Sequence, residues 1–257
     1  MVFPGEIQEI LNDRESGSVA LLNRLVSALE RELRKPEVKK ETFTALLTGI
    51  RRQLEHFAAI ENFLTSLAGD VMHNDLFPET ALEFIRQYRV YWSDSGWKIA
   101  AHFLRHCHPE GKTILTHSHS QTVISLLEQL HAKQFRFSVL QTLSSPGEEG
   151  RVSVERMHAI KIAADLIGDA GVPEALGRTG LVVVGCDALL ATEFLNKTGT
   201  RRILEHAKEL NIPCIIVAES RKKITRAAWK RNLKVGPLFE WIPLSLANLI
   251  VFENGVV

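Results

Sequence analysis

Two spacings of hydrophobic residues divide the chain into two parts. Between Ser18 and about Leu67, apolar residues recur every three or four positions, which is the spacing of the buried face of an amphipathic helix. The pattern forms two stripes, interrupted near Pro36. The stripes are Leu22, Leu25, Leu29 and Leu33, followed by Leu46, Leu47, Ile50, Leu54, Phe57, Leu64 and Leu67. Further helices are predicted after Pro78 and after Asp94, and no strand is predicted in about the first hundred residues.

From Gly111 onward, short β-rich runs alternate with helical segments, the pattern of a parallel sheet with crossover helices. Strands are predicted at 113–115, 135–142, 181–184, 213–217 and 249–252. Helices are predicted at 122–131, 151–158 and 200–210, whereas 160–164 fits a continued helix or a short strand equally well. The sequence therefore predicts an α/β protein, with a helical N-terminal domain over residues 1–93 and a Rossmann-like domain with a mainly parallel sheet over residues 94–257.

The composition is that of an ordinary soluble protein, because 45% of the 257 residues are hydrophobic and 24% are charged. The 31 Lys and Arg residues nearly balance the 30 Asp and Glu residues, so no field of the whole chain draws it to nucleic acid or to an anionic membrane. The longest apolar runs fall far short of the roughly 20 residues that span a bilayer, so no membrane attachment is expected. The three cysteines lack the spacing of metal fingers or disulfides, which favours a reducing, cytoplasmic location.

Polar side chains follow three of the predicted strands. Residues 116–120 follow the strand at 113–115, and residues 219–223 follow the strand at 213–217. Residues 185–187 and 196–200 both lie between the strand at 181–184 and the next helix. Because the carboxyl ends of parallel strands meet at one edge of a sheet, hydroxyls, imidazoles, a carboxylate and several cations converge there. Such a set suits a phosphorylated, polyhydroxylated small molecule. The candidate ligand-binding residues in the first loop are Thr116, His117, His119 and Ser120, although hydroxyls before a helix also serve as simple caps.

Two other chemistries are open to these residues. A metal site could use His106, Cys107, His108, His117 and His119. The predicted strand between the two groups places them at opposite ends, so neither a metal nor another cofactor is expected. A basic patch could contact RNA or a protein partner, although a solvated helix face explains it as well. The patch comprises Arg221, Lys222, Lys223, Arg226, Lys230, Arg231 and Lys234.

Five stretches of the chain, taken in order, resemble a known protein family. They are GKTILTHSHSQTVISLLEQL, RFSVLQTLSSPGEEG, VVVGCDALLATEFLNKTGT, IPCIIVAESRKK and IPLSLANLIVFENGVV, between about residues 97 and 257. The family joins the alpha, beta and delta subunits of translation initiation factor 2B with methylthioribose-1-phosphate isomerase and ribose-1,5-bisphosphate isomerase. The resemblance implies that 160–164 is a strand. It also implies that the chain associates through its C-terminal domain as a dimer or a larger oligomer.

The isomerases of this family resemble one another in a cysteine in the first loop and an aspartate after the VVVG strand. The resemblance implies that these two residues shuttle protons while an aldose phosphate becomes a ketose phosphate. Asp187 matches the aspartate, but Ser118 stands where the cysteine would be. A thiol has a pKa near 8.5, whereas a serine hydroxyl needs a neighbouring base in order to act. Cys186 is not expected to substitute, because adjacent side chains on an extended backbone point apart.

A second departure lies in the segment 143–146, Leu-Ser-Ser-Pro, where the isomerases carry an acidic residue and then Ser-Arg-Pro. The missing arginine removes a planar donor group suited to phosphate. The alpha subunit also lacks that arginine and that cysteine, but it tends to carry glutamate at the position of Asp187. Asn196, Lys197 and Lys222 match positions that the resemblance implies bind the sugar phosphate, so binding is expected to survive better than catalysis.

The sequence thus favours a regulatory protein resembling the alpha subunit, which binds a sugar phosphate or a nucleotide. The alternative is an active aldose-ketose isomerase on a phosphorylated pentose, of the ribose-1,5-bisphosphate or methylthioribose-1-phosphate type. In that case Asp187 shuttles the proton, and Ser118 or a histidine beside it replaces the thiol. A third hypothesis is a subunit whose basic patch docks onto another protein or RNA.

Overall fold

The computed structural model describes residues 3–13, 16–54, 57–73, 75–225 and 236–257. The chain divides into two compact units, Met1–Asp94 and Ser95–Val257. Within the described ranges, no helix is both long enough and apolar enough to cross a bilayer.

The first unit is built from helices that bury the predicted apolar stripes. They are α1 (Gly5–Asn12), α2 (Ser18–Leu33), α3 (Lys40–Gln53), α4 (Ala58–His73) and α5 (Glu79–Trp92). Leu22, Leu25 and Leu29 lie on one face of α2 and are fully buried in a single core with Phe63 of α4 and Ile85 of α5. Since proline has no backbone N–H to donate, the helical pattern stops before Pro36. No strand occurs among the described residues of this unit, which confirms its helical character.

The second unit alternates strands and helices along the chain. Its helices are α6 (Ser95–His106), α7 (Gln121–Ala132), α8 (Gly150–Ala159), α9 (Val172–Leu176) and α10 (Thr200–Glu209). Its strands are β1 (Thr113–Thr116), β2 (Ser138–Thr142), β3 (Ala163–Ile167), β4 (Leu181–Val184), β5 (Ala188–Leu189), β6 (Glu193–Lys197), β7 (Cys214–Val217), β8 (Phe239–Pro243), β9 (Leu249–Phe252) and β10 (Gly255–Val256).

Seven of these strands form the central sheet in the order β10-β9-β7-β4-β1-β2-β3. All neighbours pair in parallel except β10, which is antiparallel to β9. Successive residues of a strand face opposite sides, so Val183 joins one core, whereas Val182 and Val184 join the other. Helices α6, α7 and α8 supply the first core, and α9 and α10 supply the second. The predicted α/β fold with a mainly parallel sheet is confirmed.

Three predicted segments differ in the structure, and α1, α9, β5, β8 and β10 were not predicted. The second strand begins at Ser138 rather than at residue 135, and the strand expected at 160–164 runs from Ala163 to Ile167. Residues 193–197, expected to lie partly in a loop, form β6 instead. This strand pairs antiparallel with β8, and β5, β6 and β8 make a separate small sheet. The pairing joins segments more than forty residues apart, so local sequence patterns do not reveal it.

A buried histidine ties together the loops at the carboxyl edge of the central sheet. His117 directly follows β1 and is 2% exposed. Its Nε2 lies 3.0 Å from the backbone oxygen of Thr198, and its Nδ1 lies 2.6 Å from Oγ1 of Thr142. A carbonyl oxygen can only accept, so Nε2 carries the hydrogen and Nδ1 accepts from the threonine hydroxyl. Gly199, at φ +104°, lets the backbone approach this ring closely, since a Cβ there would lie 3.2 Å from it.

Replacing Gly150 with alanine is expected to destabilise the second unit. A Cβ at this position would overlap the backbone oxygen of Thr142, so the start of α8 or the end of β2 must shift. We expect the free energy of unfolding to fall by about 1–3 kcal/mol in urea titrations. Gly171→Ala is the matched control, because Gly171 has φ −82° and open space around its Cα. A loss no larger in Gly150→Ala than in the control would contradict the steric account.

Burial lowers the pKa of His117, so the stability of the fold should fall in mild acid. The unfolded chain takes up a proton near the ordinary pKa of about 6.5, which the folded imidazole resists. The stabilisation is therefore fully present above that pH and is lost as the pH falls through the lower, folded pKa. In urea titrations between pH 7.5 and 5, His117→Gln should reduce the slope of stability with pH by up to about 1.4 kcal/mol per unit. The exposed His131→Gln serves as control, and equal slopes for all three proteins would refute the prediction.

Candidate functional site

The predicted site loops meet where the order of strands reverses. From β1 the chain proceeds outward through β2 and β3 on one side, whereas β4, β7 and β9 lie on the other. In parallel α/β sheets, the loops after two such neighbouring strands diverge and leave a crevice at the carboxyl ends. Gly185, directly after β4, packs against the Ser120 side chain so closely that a Cβ would overlap its hydroxyl. The loops after β1 and β4 therefore form adjoining walls of one site.

Ser118 and Lys197 are brought together by a glutamate that sequence reasoning did not select. Ser118 Oγ donates to Glu149 Oε1 at 3.2 Å, and Lys197 Nζ lies 2.8 Å from the same oxygen. Lys197 is 3% exposed, so the carboxylate supplies the partner that a buried ammonium needs. A hydroxyl, a carboxylate and an ammonium thus lie in contact at the end of β1.

The other predicted residues of the first loop contact the protein itself. Ser120 caps α7, and its hydroxyl accepts from the backbone N–H of Val123 at 3.4 Å. His119 Nδ1 lies 2.8 Å from Ser153 Oγ, and burial lowers the pKa of this histidine as well. Thr116 is buried as the last residue of β1. These contacts stabilise the loop.

Lys222 is the other predicted cation, and it lies in a short turn after β7. Its side chain is 3% exposed, and Nζ donates to the backbone oxygen of Cys186 at 2.6 Å. Within the described ranges, Lys222 forms no ion pair with a carboxylate. The buried ammonium is therefore held by a neutral carbonyl of the neighbouring loop.

The turn that carries Lys222 is fixed by two buried carboxylates. Glu219 accepts from Ser95 Oγ at 2.8 Å and from Arg221 Nε at 2.8 Å. Glu253 accepts from the backbone N–H of Ser220 at 2.9 Å and from the hydroxyl of the same residue. Both carboxylates are occupied by these donors, so the turn holds Lys222 in place without neutralising it.

Asp187 follows Cys186 in the loop after β4, and its backbone N–H donates to Leu195 at 2.8 Å. The Cys186 thiol packs in the apolar core with Phe194, and burial raises its pKa to about 12. A thiol of that pKa is almost wholly protonated at neutral pH, so Cys186 provides no thiolate for the site.

The N-terminus of α10, a candidate for binding an anion, is occupied by a side chain of the protein. Glu240 Oε1, from β8, accepts from the backbone N–H groups of Gly199 at 2.8 Å and Arg201 at 2.9 Å. Asn196, predicted to bind ligand, donates through Nδ2 to Thr200 Oγ1 at 3.1 Å at the same helix start. An external phosphate would have to compete with a carboxylate that is already in place here.

Sequence reasoning missed the contribution of the loop after β2. Besides Glu149, this loop contains Ser144, whose Oγ accepts from the backbone N–H of Ser118 at 2.7 Å. Asp169 accepts from the backbone N–H groups of Ser144 and Ser145 at 2.9 and 2.8 Å. Burial opposes ionisation of Asp169, but these donors outweigh it and lower the pKa of the carboxyl. The signal available in the sequence was the Glu-Glu-Gly segment directly after Ser-Pro-Gly, which places carboxylates close behind the end of a predicted strand.

The two alternatives from the sequence are a metal site and the basic patch. Across the ranges that the structure describes, no group of three or more His, Cys, Asp and Glu side chains is placed to hold a metal ion. Of the basic patch, Arg226, Lys230, Arg231 and Lys234 lie outside the described residues.

Similar proteins carry two different descriptions. The ribose 1,5-bisphosphate isomerase of Archaeoglobus fulgidus is 32% identical over 170 residues, which are 58% of this chain and 54% of that protein. The translation initiation factor eIF2B subunit alpha of Dictyostelium discoideum is 35% identical over 126 residues, 49% of this chain and 38% of that protein. The alignments thus span about half the length of these relatives or less.

The fold has a close counterpart among solved structures. The translation initiation factor eIF-2B of Pyrococcus horikoshii OT3 superposes with a TM-score of 0.82, at 21% identity, over 99% of this chain and 98% of that one. The model of the Initiation factor 2 subunit family matches residues 8–236, which is most of the chain. The protein therefore belongs to the Initiation factor 2 subunit family.

Proposed function

We propose that this protein binds the phosphate group of a sugar phosphate or nucleotide at Lys222 and acts as a regulatory member of its family. The observation that carries the proposal is the buried Lys222 ammonium, whose partner among the described residues is a neutral carbonyl. Removing a cation from water is costly unless a negative charge replaces the hydration. A phosphate oxygen in the crevice supplies that charge.

The neighbouring charges favour Lys222 over the other predicted phosphate ligands. Lys197 is neutralised by Glu149, and the start of α10 is occupied by Glu240. The Ser118 hydroxyl and the partly buried His119 are then available for the hydroxyl groups of the ligand. The predicted ligand contacts of Thr116, His117, Ser120, Asn196 and Lys197 remain part of the proposal. In the structure, His117, Ser120 and Asn196 form hydrogen bonds with protein atoms, and Lys197 forms an ion pair with Glu149.

The regulatory role rests on the absence of the cysteine that the resemblance implies for sugar-phosphate isomerisation. Ser118 replaces the cysteine, and the nearby Cys186 has a pKa of about 12 because it is buried. The relative from Dictyostelium discoideum described as an eIF2B alpha subunit supports the same role. Association with further copies through the second unit is included in the proposal, and light scattering of the purified chain measures it.

A second candidate function is aldose-ketose isomerisation of a phosphorylated pentose. The relative from Archaeoglobus fulgidus, described as a ribose 1,5-bisphosphate isomerase, favours it. Asp187, which matches the family's aspartate, is present in the loop after β4. The contact between Ser118 and Glu149 also gives the serine the neighbouring base that it needs.

Replacing Lys222 with methionine should weaken ligand binding without unfolding the protein. The experiment measures affinity by calorimetry for ribose 5-phosphate, ribose 1,5-bisphosphate and adenosine monophosphate, with unphosphorylated ribose as a negative control. Loss of a charge-assisted hydrogen bond worth about 1.5–3 kcal/mol weakens binding by about 10- to 100-fold. The exposed Lys133→Met should bind as the wild type does. If no phosphorylated compound binds the wild type, or if Lys222→Met binds unchanged, the proposed site is wrong.

Asp187→Asn separates the two candidate functions. The regulatory function predicts that wild type and variant both bind and that neither forms a ketose product. The isomerase function predicts turnover by the wild type and a loss of about 10²- to 10⁴-fold in the variant, the usual effect of removing a general acid or base. Asp165→Asn, an exposed change on β3, is the control. Turnover that Asp187→Asn abolishes would exclude a purely regulatory role.

A further inference from the structure

The contact between Ser118 and Glu149 has the geometry of a proton-transfer pair. Ser118 Oγ donates to Glu149 Oε1 at 3.2 Å, within the range in which a general base acts or reaches its acting distance on binding. Lys197 Nζ, 2.8 Å from the same oxygen, balances the charge of the carboxylate and fixes its position. A hydroxyl with its own acceptor can pass a proton to it and recover one in a later step.

The backbone holds Ser118 at the end of β1 in a constrained conformation. Its φ is +64°, in the left-handed region that is unfavourable for residues with a Cβ. The backbone N–H of Ser118 donates to Ser144 Oγ at 2.7 Å, and its carbonyl accepts from Gln141 Nε2 at 3.0 Å. A strand followed by a tight turn and a helix, with a side chain bearing a hydroxyl on a strained residue at the turn, is an arrangement that enzymes use to present a reactive group.

Glu149 has acceptor capacity that the described residues do not use. Its Oε2 is buried and has no hydrogen-bond partner within the described ranges. Gly147 lies directly against this oxygen, since a Cβ at that position would overlap it. Most buried acceptors in proteins have a donor, so one that lacks it is a common feature of a site that handles protons or a ligand.

We infer that Ser118 and Glu149 together transfer a proton from a bound aldose 1-phosphate, with Ser118 as the group that touches the sugar. The inference rests on the second candidate function and assigns its missing base. Ser118 Oγ takes the proton of the C2 hydroxyl while its own proton passes to Glu149. The pair then returns a proton to the ring oxygen O4.

The protons balance without any oxidant or reductant. The bond between C1 and O4 breaks, and O4 gains the proton that the C2 hydroxyl gave up through Ser118. Asp187 takes the hydrogen of C2 as a proton and returns that proton to C1. The electrons of the C2–H bond first form the double bond between C1 and C2 of the enolate. They then form the new C1–H bond, so the product is the open-chain ketose phosphate.

The test compares Glu149→Gln and Ser118→Ala with the wild type on ribose 1,5-bisphosphate. Ketose formation is measured together with binding by calorimetry. We expect both variants to lose about 10²- to 10⁴-fold in turnover while they bind the compound. Ser118→Ala retains the ion pair of Glu149 with Lys197, so its loss cannot come from an unpaired buried ammonium. Glu148→Gln, an exposed neighbour that pairs with Arg151, should turn over as the wild type does.

A rescue experiment distinguishes proton transfer from a structural role. In the double variant Ser118→Cys with Glu149→Gln, a thiol can ionise without a neighbouring base, so turnover should return. It should rise with pH towards about 8.5, the ordinary pKa of a thiol.

Three results would overturn the inference. They are turnover unchanged within twofold in Glu149→Gln, no recovery in the double variant, and no turnover by a wild type that binds ribose 1,5-bisphosphate. The last result leaves the proposed phosphate-binding function standing, because binding is measured separately. A wild type that does not bind the compound would count against both proposals.

Discussion

The site depends on one buried imidazole. His117 is buried, and the hydrogen bonds of its two ring nitrogens go to protein atoms in two other segments of the chain. The ring therefore fixes the distance between the end of β1, the end of β2 and the segment that precedes α10. Ser118 follows His117 directly, and Lys197 immediately precedes Thr198. The hydrogen bonds of the buried His117 ring therefore help to fix the positions of Ser118 and Lys197.

The distribution of buried charge decides what this edge of the sheet can bind. Glu149 is paired with Lys197, Glu219 with Arg221, and Glu240 with two backbone N–H groups. Within the part of the chain that the structure describes, Lys222 is the buried cation of this edge without a carboxylate partner. A small phosphate needs only such a local excess, although the whole chain carries a net charge of just +1. The nearly neutral balance therefore excludes attachment along the whole surface but not a phosphate site.

Ligand binding and isomerisation can use the same fold, because the residues that contact a ligand lie in loops that the sheet holds in place. A thiol at the turn after β1 would act alone, whereas a hydroxyl there acts only with a base beside it. In this chain the loop after β2 places the Glu149 carboxylate in hydrogen-bond contact with the Ser118 hydroxyl, and Cys186 is buried in the core. Whether a member of the family binds or also converts its ligand therefore depends on a few side chains at strand ends.

Much of the fold could be predicted from the sequence because it follows from local periodicity. The three-and-four spacing predicted the helices of the first unit from α2 onward, whereas α1 was not predicted. Short apolar runs at 181–184 and 249–252 matched β4 and β9 in full. The small sheet was missed, since β6 and β8 pair across a long separation and each strand has weak alternation of its own. The family assignment, including the strand near 160–164, came from motifs in order along the chain rather than from periodicity.

The sequence by itself determined which residue types follow each strand, because the apolar runs that form the strands are local. It also placed these residues at one edge, because the carboxyl ends of parallel strands lie together. Only the tertiary structure decided which of them meet. Glu149 and Ser118 are far apart in the chain and come into contact through the parallel pairing of β1 with β2, a pairing that leaves no local signal. The same holds for Lys222, whose burial beside a neutral carbonyl is a property of packing. Local sequence patterns predict helices and strands. Ion pairing and desolvation depend on distances between side chains that are far apart in the chain, and these distances are set only by folding.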